Sequence, residues 1–119
     1  MIKKIKLFDP LIDSSENKII SKVLKSKLWA SGSGIGYVSK FETKMNQYLG
    51  SDECIAVNSG TAALNLVLSI AEIKNKEVIL PSLSFVSTAH SIILNGGKPI
   101  FVDVDPHTLC IDPEKIIKA

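Results

Sequence analysis

Residues 54–73 read CIAVNSGTAALNLVLSIAEI, and the change of pattern inside this stretch decides the fold. Cys54–Asn58 is a short apolar run of strand length. From Ser59 the apolar residues recur at helical spacing, with Leu64, Val67, Leu68 and Ala71 expected to face inward and Ser59 placed as the N-cap. Towards the C-terminus, Glu77–Leu80 (EVIL) reads as a second strand stopped by Pro81. A helix over 85–94 follows and ends at Asn95-Gly96-Gly97, and Pro99–Val104 (PIFVDV) reads as a third strand. Strands alternating with helices predict an α/β fold with a mostly parallel sheet and helical crossovers. Continuous apolar strands predict burial on both faces of that sheet. Three strands make a narrow sheet, so the reading expects part of a larger α/β domain.

Towards the N-terminus, residues 14–28 read as a helix. Asp13 and Glu16 have capping-box spacing, and Ile19, Ile20, Val23 and Leu24 fall on one face. WASGSGIG, residues 29–36, holds too much glycine and serine for a regular element. Residues 37–49 predict a second helix with Val38, Phe41, Met45 and Leu49 in phase and Gly50 as its C-cap. Asp112 with Pro113 marks the start of a last helix. The expected division is N-terminal helices over about residues 1–50 and the first βαβαβ portion of an α/β domain over 51–119.

Composition narrows the function classes. Of 119 residues, 45% are hydrophobic and 22% charged, as in ordinary globular proteins. The 14 basic residues are all lysine, against 12 acidic ones. Arginine, the usual choice for bidentate phosphate and base contacts, is absent, and the balanced charge gives no support to nucleic-acid binding. Cys54 and Cys110 lie far apart, outside any metal-ligand spacing, and read as small buried hydrophobes. His90 and His107 have no metal-partner spacing either. No signal peptide and no membrane-length apolar run is visible, so the expectation is a cytoplasmic protein without a membrane partner.

Two strand-to-helix loops carry the chemistry. In Val57–Ala63 (VNSGTAA) the first amides of a helix lack intrahelical acceptors and the helix dipole is positive. Gly60 permits close approach, and Ser59 and Thr61 add hydroxyls, so the segment suits a phosphate. A plain serine-capped helix fits the same letters; the P-loop and the GxGxxG pattern are absent. Pro81–Ala89 (PSLSFVSTA) also leaves a strand's carboxyl end, where α/β sheets bind ligands. Phe85 stands there either to lie against a planar cofactor or to pack in the core. Asp103 and Asp105 end the third strand, as polar ligands or as turn formers before Pro106. The loop from Trp29 to Gly36 either closes over a ligand or simply connects.

In order and spacing these segments resemble the DegT/DnrJ/StrS-type sugar aminotransferases, which have the aspartate-aminotransferase fold. The stretches are Lys25–Gly32 (KSKLWASG), Val38–Tyr48 with Phe41-Glu42, Asn58–Leu64 (NSGTAAL), Glu77–Ser82 (EVILPS) with Phe85, and Pro99–Asp105 followed by Thr108 and Ile111-Asp112. They cover nearly the whole chain. The resemblance implies pyridoxal 5'-phosphate as cofactor, its phosphate held by Ser59, Gly60, Thr61 and Ala62 and its ring stacked on Phe85. It implies a weaker substrate contact through Trp29, Ser31 and Gly32, where ASGSG departs from the commoner ITTGP-like form. Asp103 and Asp105 match a VDVD strand that does not reach the pyridine nitrogen, which favours their turn role.

The reaction so implied moves an amino group from an amino acid, glutamate by expectation, to a nucleotide-linked keto-sugar, in a homodimer. The Schiff-base lysine is expected beyond Ala119, along with the rest of the domain and a small C-terminal domain. The chain would therefore cover roughly the first third of such an enzyme and would be inactive alone. Two alternatives stay open: a non-catalytic α/β module that binds a phosphorylated ligand, and a pyridoxal- or pyridoxamine-phosphate-dependent sugar dehydratase of the same fold.

Overall fold

The computed structural model describes residues 4–28 and 36–119. The chain forms two compact units, residues 1–56 and 57–119.

Among its described residues the first unit holds two helices. Helix α1 spans Ser14–Ser26 and starts at the capping box read from the sequence. The Asp13 carboxylate accepts the Ser15 N–H at 2.6 Å, and Glu16 Oε2 accepts the Asp13 N–H at 2.7 Å. These amides hold the Asp13 carboxyl below its usual range, the Ser15 backbone N–H contributing most. Lys27 closes the helix in the left-handed region at φ 60°, two residues earlier than the expected end at 28. Helix α2 spans Tyr37–Leu49 and ends, as expected, on Gly50 at φ 66°, whose N–H reaches the Asn46 carbonyl. Neither helix buries a residue.

The second unit runs α3 (Gly60–Ile70), β1 (Glu77–Pro81), α4 (Ser87–Leu94), β2 (Lys98–Val102) and α5 (Pro113–Lys118). The strands pair in parallel, Glu77 opposite Lys98 through Pro81 opposite Val102, and α4 supplies the crossover that parallel strands require. Ile73, Leu80 and Ile92 form the core, with Leu68, Val78 and Ala89 packed against it. Gly97 sits where a side chain has no room. A Cβ there would come within 2.8 Å of Ile73 Cδ1 and 2.9 Å of Ile92 Cγ2. The turn into β2 is pinned by Asn75 N–H to Gly96 C=O and Lys98 N–H to Lys76 C=O, both 2.8 Å. The exposed Lys98–Glu77 ion pair at 2.7 Å adds little to this.

Four expectations need correction. Cys54–Asn58 is not a strand. The Ala56 N–H that a ladder would have used goes to the Glu42 carboxylate at 2.9 Å, and among the described residues the sheet has two strands. The strand expected to reach Val104 stops at Val102, and Val104 instead forms an isolated antiparallel bridge with Ile111. The α4 helix begins at Ser87 rather than Phe85, with Val86 at the N-cap position and bends over residues 82–84 before it. Cys110 is exposed and Cys54 half-buried, both with free thiols.

The inward face of α3 also differs. Leu64, Val67 and Ala71 are exposed, and of the four expected residues Leu68 alone packs on the core. The half-buried positions are Thr61, Ala62, Ala63, Asn65 and Leu68, a stripe at helical spacing with a polar residue at its centre. Apolar periodicity does not mark such a stripe.

Candidate functional site

The candidate site lies within the second unit, at the start of α3 and in the loop after β1. Ser59 is the N-cap. Its backbone is extended, and its Oγ accepts the Ala62 N–H at 3.1 Å while its carbonyl accepts the Ala63 N–H at 3.1 Å. The serine is favoured there because its side chain replaces a missing helical acceptor. The amides of Gly60 and Thr61, one and two residues further on, have no intrahelical acceptor. The Ser59 hydroxyl lies 3.4 Å from Asn58 Oδ1.

Gly60 is not required by packing, since a Cβ on it would meet nothing within 4 Å. Space beside Gly60, at the positive end of a helix whose first amides lack intrahelical acceptors, fits an anion such as a phosphate. Of the four residues expected to hold it, Ser59, Gly60 and Thr61 have groups to offer. The Ala62 N–H is already committed to Ser59 Oγ.

Phe85 lies between β1 and α4. Its carbonyl accepts the Thr88 N–H at 3.0 Å, and the adjacent Ser84 and Thr88 hydroxyls lie 3.1 Å apart. Phe85 is 74% exposed, as are other large apolar residues such as Phe8 and Leu94, and an exposed phenylalanine can offer an apolar face to a flat ligand. Trp29, Ser31 and Gly32 lie outside the described residues.

Asp103 and Asp105 take structural roles. Asp105 Oδ1 accepts the N–H groups of His107 and Thr108, both at 2.8 Å, and the Thr108 hydroxyl at 3.3 Å. The Thr108 amide first and the His107 amide next hold its carboxyl below the ordinary range. Asp103 accepts the Ser82 hydroxyl at 3.4 Å, linking the carboxyl ends of β1 and β2. Among the described residues no group of three His, Cys, Asp or Glu side chains is placed to hold a metal, and no helix is long and apolar enough to cross a membrane.

Sequence reasoning missed one feature near the site. The Asn95 side chain, at the end of α4, bonds the Asn65 side chain in the second turn of α3 at 3.2 Å. Two asparagines 30 residues apart carry no local signal. A groove of about 600 Å³ also lies on the first unit, beside Ile19, Tyr37, Phe41, Lys40 and Lys44.

The sequence profile of the DegT/DnrJ/EryC1/StrS aminotransferase family matches residues 10–119. A 3-oxo-glucose-6-phosphate:glutamate aminotransferase of Bacillus subtilis (strain 168) is 38% identical over 101 residues, 84% of this chain and 22% of its own length. The spore coat polysaccharide biosynthesis protein SpsC of the same organism is 40% identical over 111 residues, 92% of this chain and 28% of its own. Among solved structures, the E. coli GDP-4-keto-6-deoxy-D-mannose-3-dehydratase with bound hydrated PLP superimposes with a TM-score of 0.81 at 31% identity. That match covers 95% of this chain and 30% of the dehydratase. The chain thus spans under a third of the length of the relatives it matches.

Proposed function

The chain belongs to the DegT/DnrJ/EryC1/StrS aminotransferase family, and on that premise we propose that it is the cofactor-phosphate-holding segment of a sugar aminotransferase that uses pyridoxal 5'-phosphate. The whole protein would transfer an amino group from glutamate to a nucleotide-linked keto-sugar, working as a cytoplasmic homodimer. In this reading residues 1–50 are the N-terminal helices and 51–119 the first part of the cofactor-binding domain. The rest of that domain and a small C-terminal domain complete it, and the lysine that carries the cofactor lies there.

The observation that carries the reading is the start of α3. The amides of Gly60 and Thr61 have no intrahelical acceptor, a Cβ on Gly60 would meet no described atom within 4 Å, and Ser59 and Thr61 carry hydroxyl side chains. These groups would hold the phosphate dianion, and the exposed Phe85 ring would cover one face of the pyridine. When bound, pyridoxal phosphate supplies an electron-withdrawing ring and a carbonyl that accepts the amino group. Ser59, Gly60 and Thr61 would anchor and orient it. Phe85 would exclude water from one face. Trp29, Ser31 and Gly32 are proposed to touch the sugar substrate.

The likeness to the E. coli dehydratase at 31% identity favours a second reading, removal of a sugar hydroxyl with the same cofactor. One experiment separates the two. The native gene product is incubated with pyridoxal phosphate, 15N-glutamate and a nucleotide-linked 4-keto-sugar. Appearance of 15N in the sugar product is expected. A deoxygenated keto-sugar without nitrogen would establish the dehydratase. Absence of any cofactor binding would reject both and leave the phosphate-ligand module.

A further inference from the structure

The start of α3 is not aimed by deep packing. No residue of α3 is buried, and Leu68, half-buried, is its contact with the Ile73–Leu80–Ile92 core. Hydrophobic contacts of this kind are non-directional. A directional tie is present instead. Asn95 Nδ2 donates to the Ser91 carbonyl at 2.8 Å and to Asn65 Oδ1 at 3.2 Å, with the Asn65 carbonyl at 3.5 Å. Three oxygens surround this one atom, so it must be the NH2 end of the amide. Asn65 Oδ1 is therefore the acceptor, which turns Asn65 Nδ2 the other way. It donates to the Thr61 carbonyl at 3.2 Å.

The result is a relay from the Ser91 carbonyl through the Asn95 amide and the Asn65 amide to the Thr61 carbonyl. Both amides are half-buried, where hydrogen bonds gain strength and successive amides polarise one another. Its far end is fixed to the sheet. Asn95 opens the turn into β2, which is pinned by Asn75 N–H to Gly96 C=O and by Lys98 N–H to Lys76 C=O, both at 2.8 Å. Its near end is the carbonyl of Thr61, in the first turn of α3.

We propose that Asn65 and Asn95 are positioning residues for the cofactor phosphate: their amides transmit the frame of the sheet to the Thr61–Ala62 peptide unit, whose N–H holds Ser59 Oγ, and so steady the turn that carries the Gly60 and Thr61 amides. The proposal rests on the reading of the α3 start as the phosphate site. Neither asparagine touches the ligand. They act through the Thr61 carbonyl, and loss of either leaves the amides present but less well aimed.

The test uses the native gene product. Pyridoxal phosphate affinity is measured by equilibrium dialysis, and the 31P resonance of the bound phosphate is recorded. The variants are Asn65→Leu, Asn95→Leu and the pair, with Ser69→Ala on the same helix as control, its hydroxyl being bonded back to Leu66 C=O at 2.7 Å. Each leucine variant is expected to weaken binding about tenfold, the worth of one net hydrogen bond. Each should also move the 31P resonance. The pair should lose little more than one variant does, because either change breaks the same relay. Ser69→Ala should change neither quantity. If a leucine variant does not fold, Asn95→Ser, which shortens the donor out of reach, carries the same test.

Wild-type affinity and an unmoved resonance in variants that merely melt earlier would overturn the proposal and leave the asparagines with a stabilising role. A different failure is also readable. If wild-type protein binds the cofactor but Ser59→Ala and Gly60→Ala do not weaken it, the phosphate lies elsewhere, and the site falls together with its positioning residues.

Discussion

The backbone N–H of Ala56 donates to the Glu42 carboxylate at 2.9 Å, across fourteen residues. This bond ties the segment after α2 back to that helix, and it occupies the amide that a strand over Cys54–Asn58 would have given to a neighbour. Glu42→Ala is therefore expected to lower stability by about 1.5–3 kcal/mol, the range for a hydrogen bond to a charged group. It should also raise hydrogen exchange at the Ala56 amide. Unchanged exchange at Ala56 would show that the bond does not persist in solution.

Gly60→Ala separates folding from ligand binding. A Cβ there meets no atom within 4 Å, and alanine reduces the freedom of the unfolded chain. Stability should hold or rise by up to about 1 kcal/mol, while pyridoxal phosphate binding weakens because the methyl group occupies the approach to the amides. Thermal melting and cofactor titration on the same sample check both halves. A variant that binds as well as wild type would remove Gly60 from the site.

Gly97 is the opposite case. Its Cβ would press on Ile73 and Ile92 side chains at 2.8 and 2.9 Å and on the Ile92 carbonyl at 3.3 Å. Gly97→Ala should cost about 1–3 kcal/mol, as overpacked cores do. Urea unfolding gives the value, and a loss below half of that range would mean that the two isoleucines yield easily.

Ser91 is fully buried, and its hydroxyl has no hydrogen-bond partner among the described residues. A buried hydroxyl without a hydrogen bond costs free energy that alanine does not. Ser91→Ala should leave stability unchanged or raise it by about 1 kcal/mol, again by urea unfolding. A clear loss of stability would reveal a partner for the hydroxyl in solution.

The turn at Asp105 should be sensitive to acid. Its carboxyl titrates below the ordinary range in the folded protein because the Thr108 and His107 amides bond the ionised form. The stability this contributes is complete above the carboxyl's unfolded pKa and is lost as pH falls through the lowered folded value. NMR titration of the His107 and Thr108 amides should show both moving in that acid window and neither moving in Asp105→Asn. Titration at the ordinary carboxylate pKa would contradict the bonded turn.

Much of this molecule was legible as sequence wherever the cause of structure is local. The capping box at Asp13 and Glu16, the left-handed Gly50, the Ser59 cap, and Pro113 after Asp112 all depend on residues within one helical turn of each other, and all appear where their letters place them. Two parallel strands joined by a helix followed from apolar runs and their stops. So did the position of the candidate phosphate turn, since a serine-capped helix start is written in four consecutive residues.

What tertiary structure alone decided depends on partners distant in sequence. The Ala56 amide answers to Glu42 rather than to a strand. Phe85 is exposed and precedes α4 rather than opening it. The packed stripe of α3 is centred on Asn65, whose amide finds Asn95 30 residues away. Hydrophobic periodicity records the free energy of removing apolar surface from water, which sums over a face and survives in the sequence. A hydrogen bond between two side chains depends on one distance and one angle, and those exist only once the chain has folded.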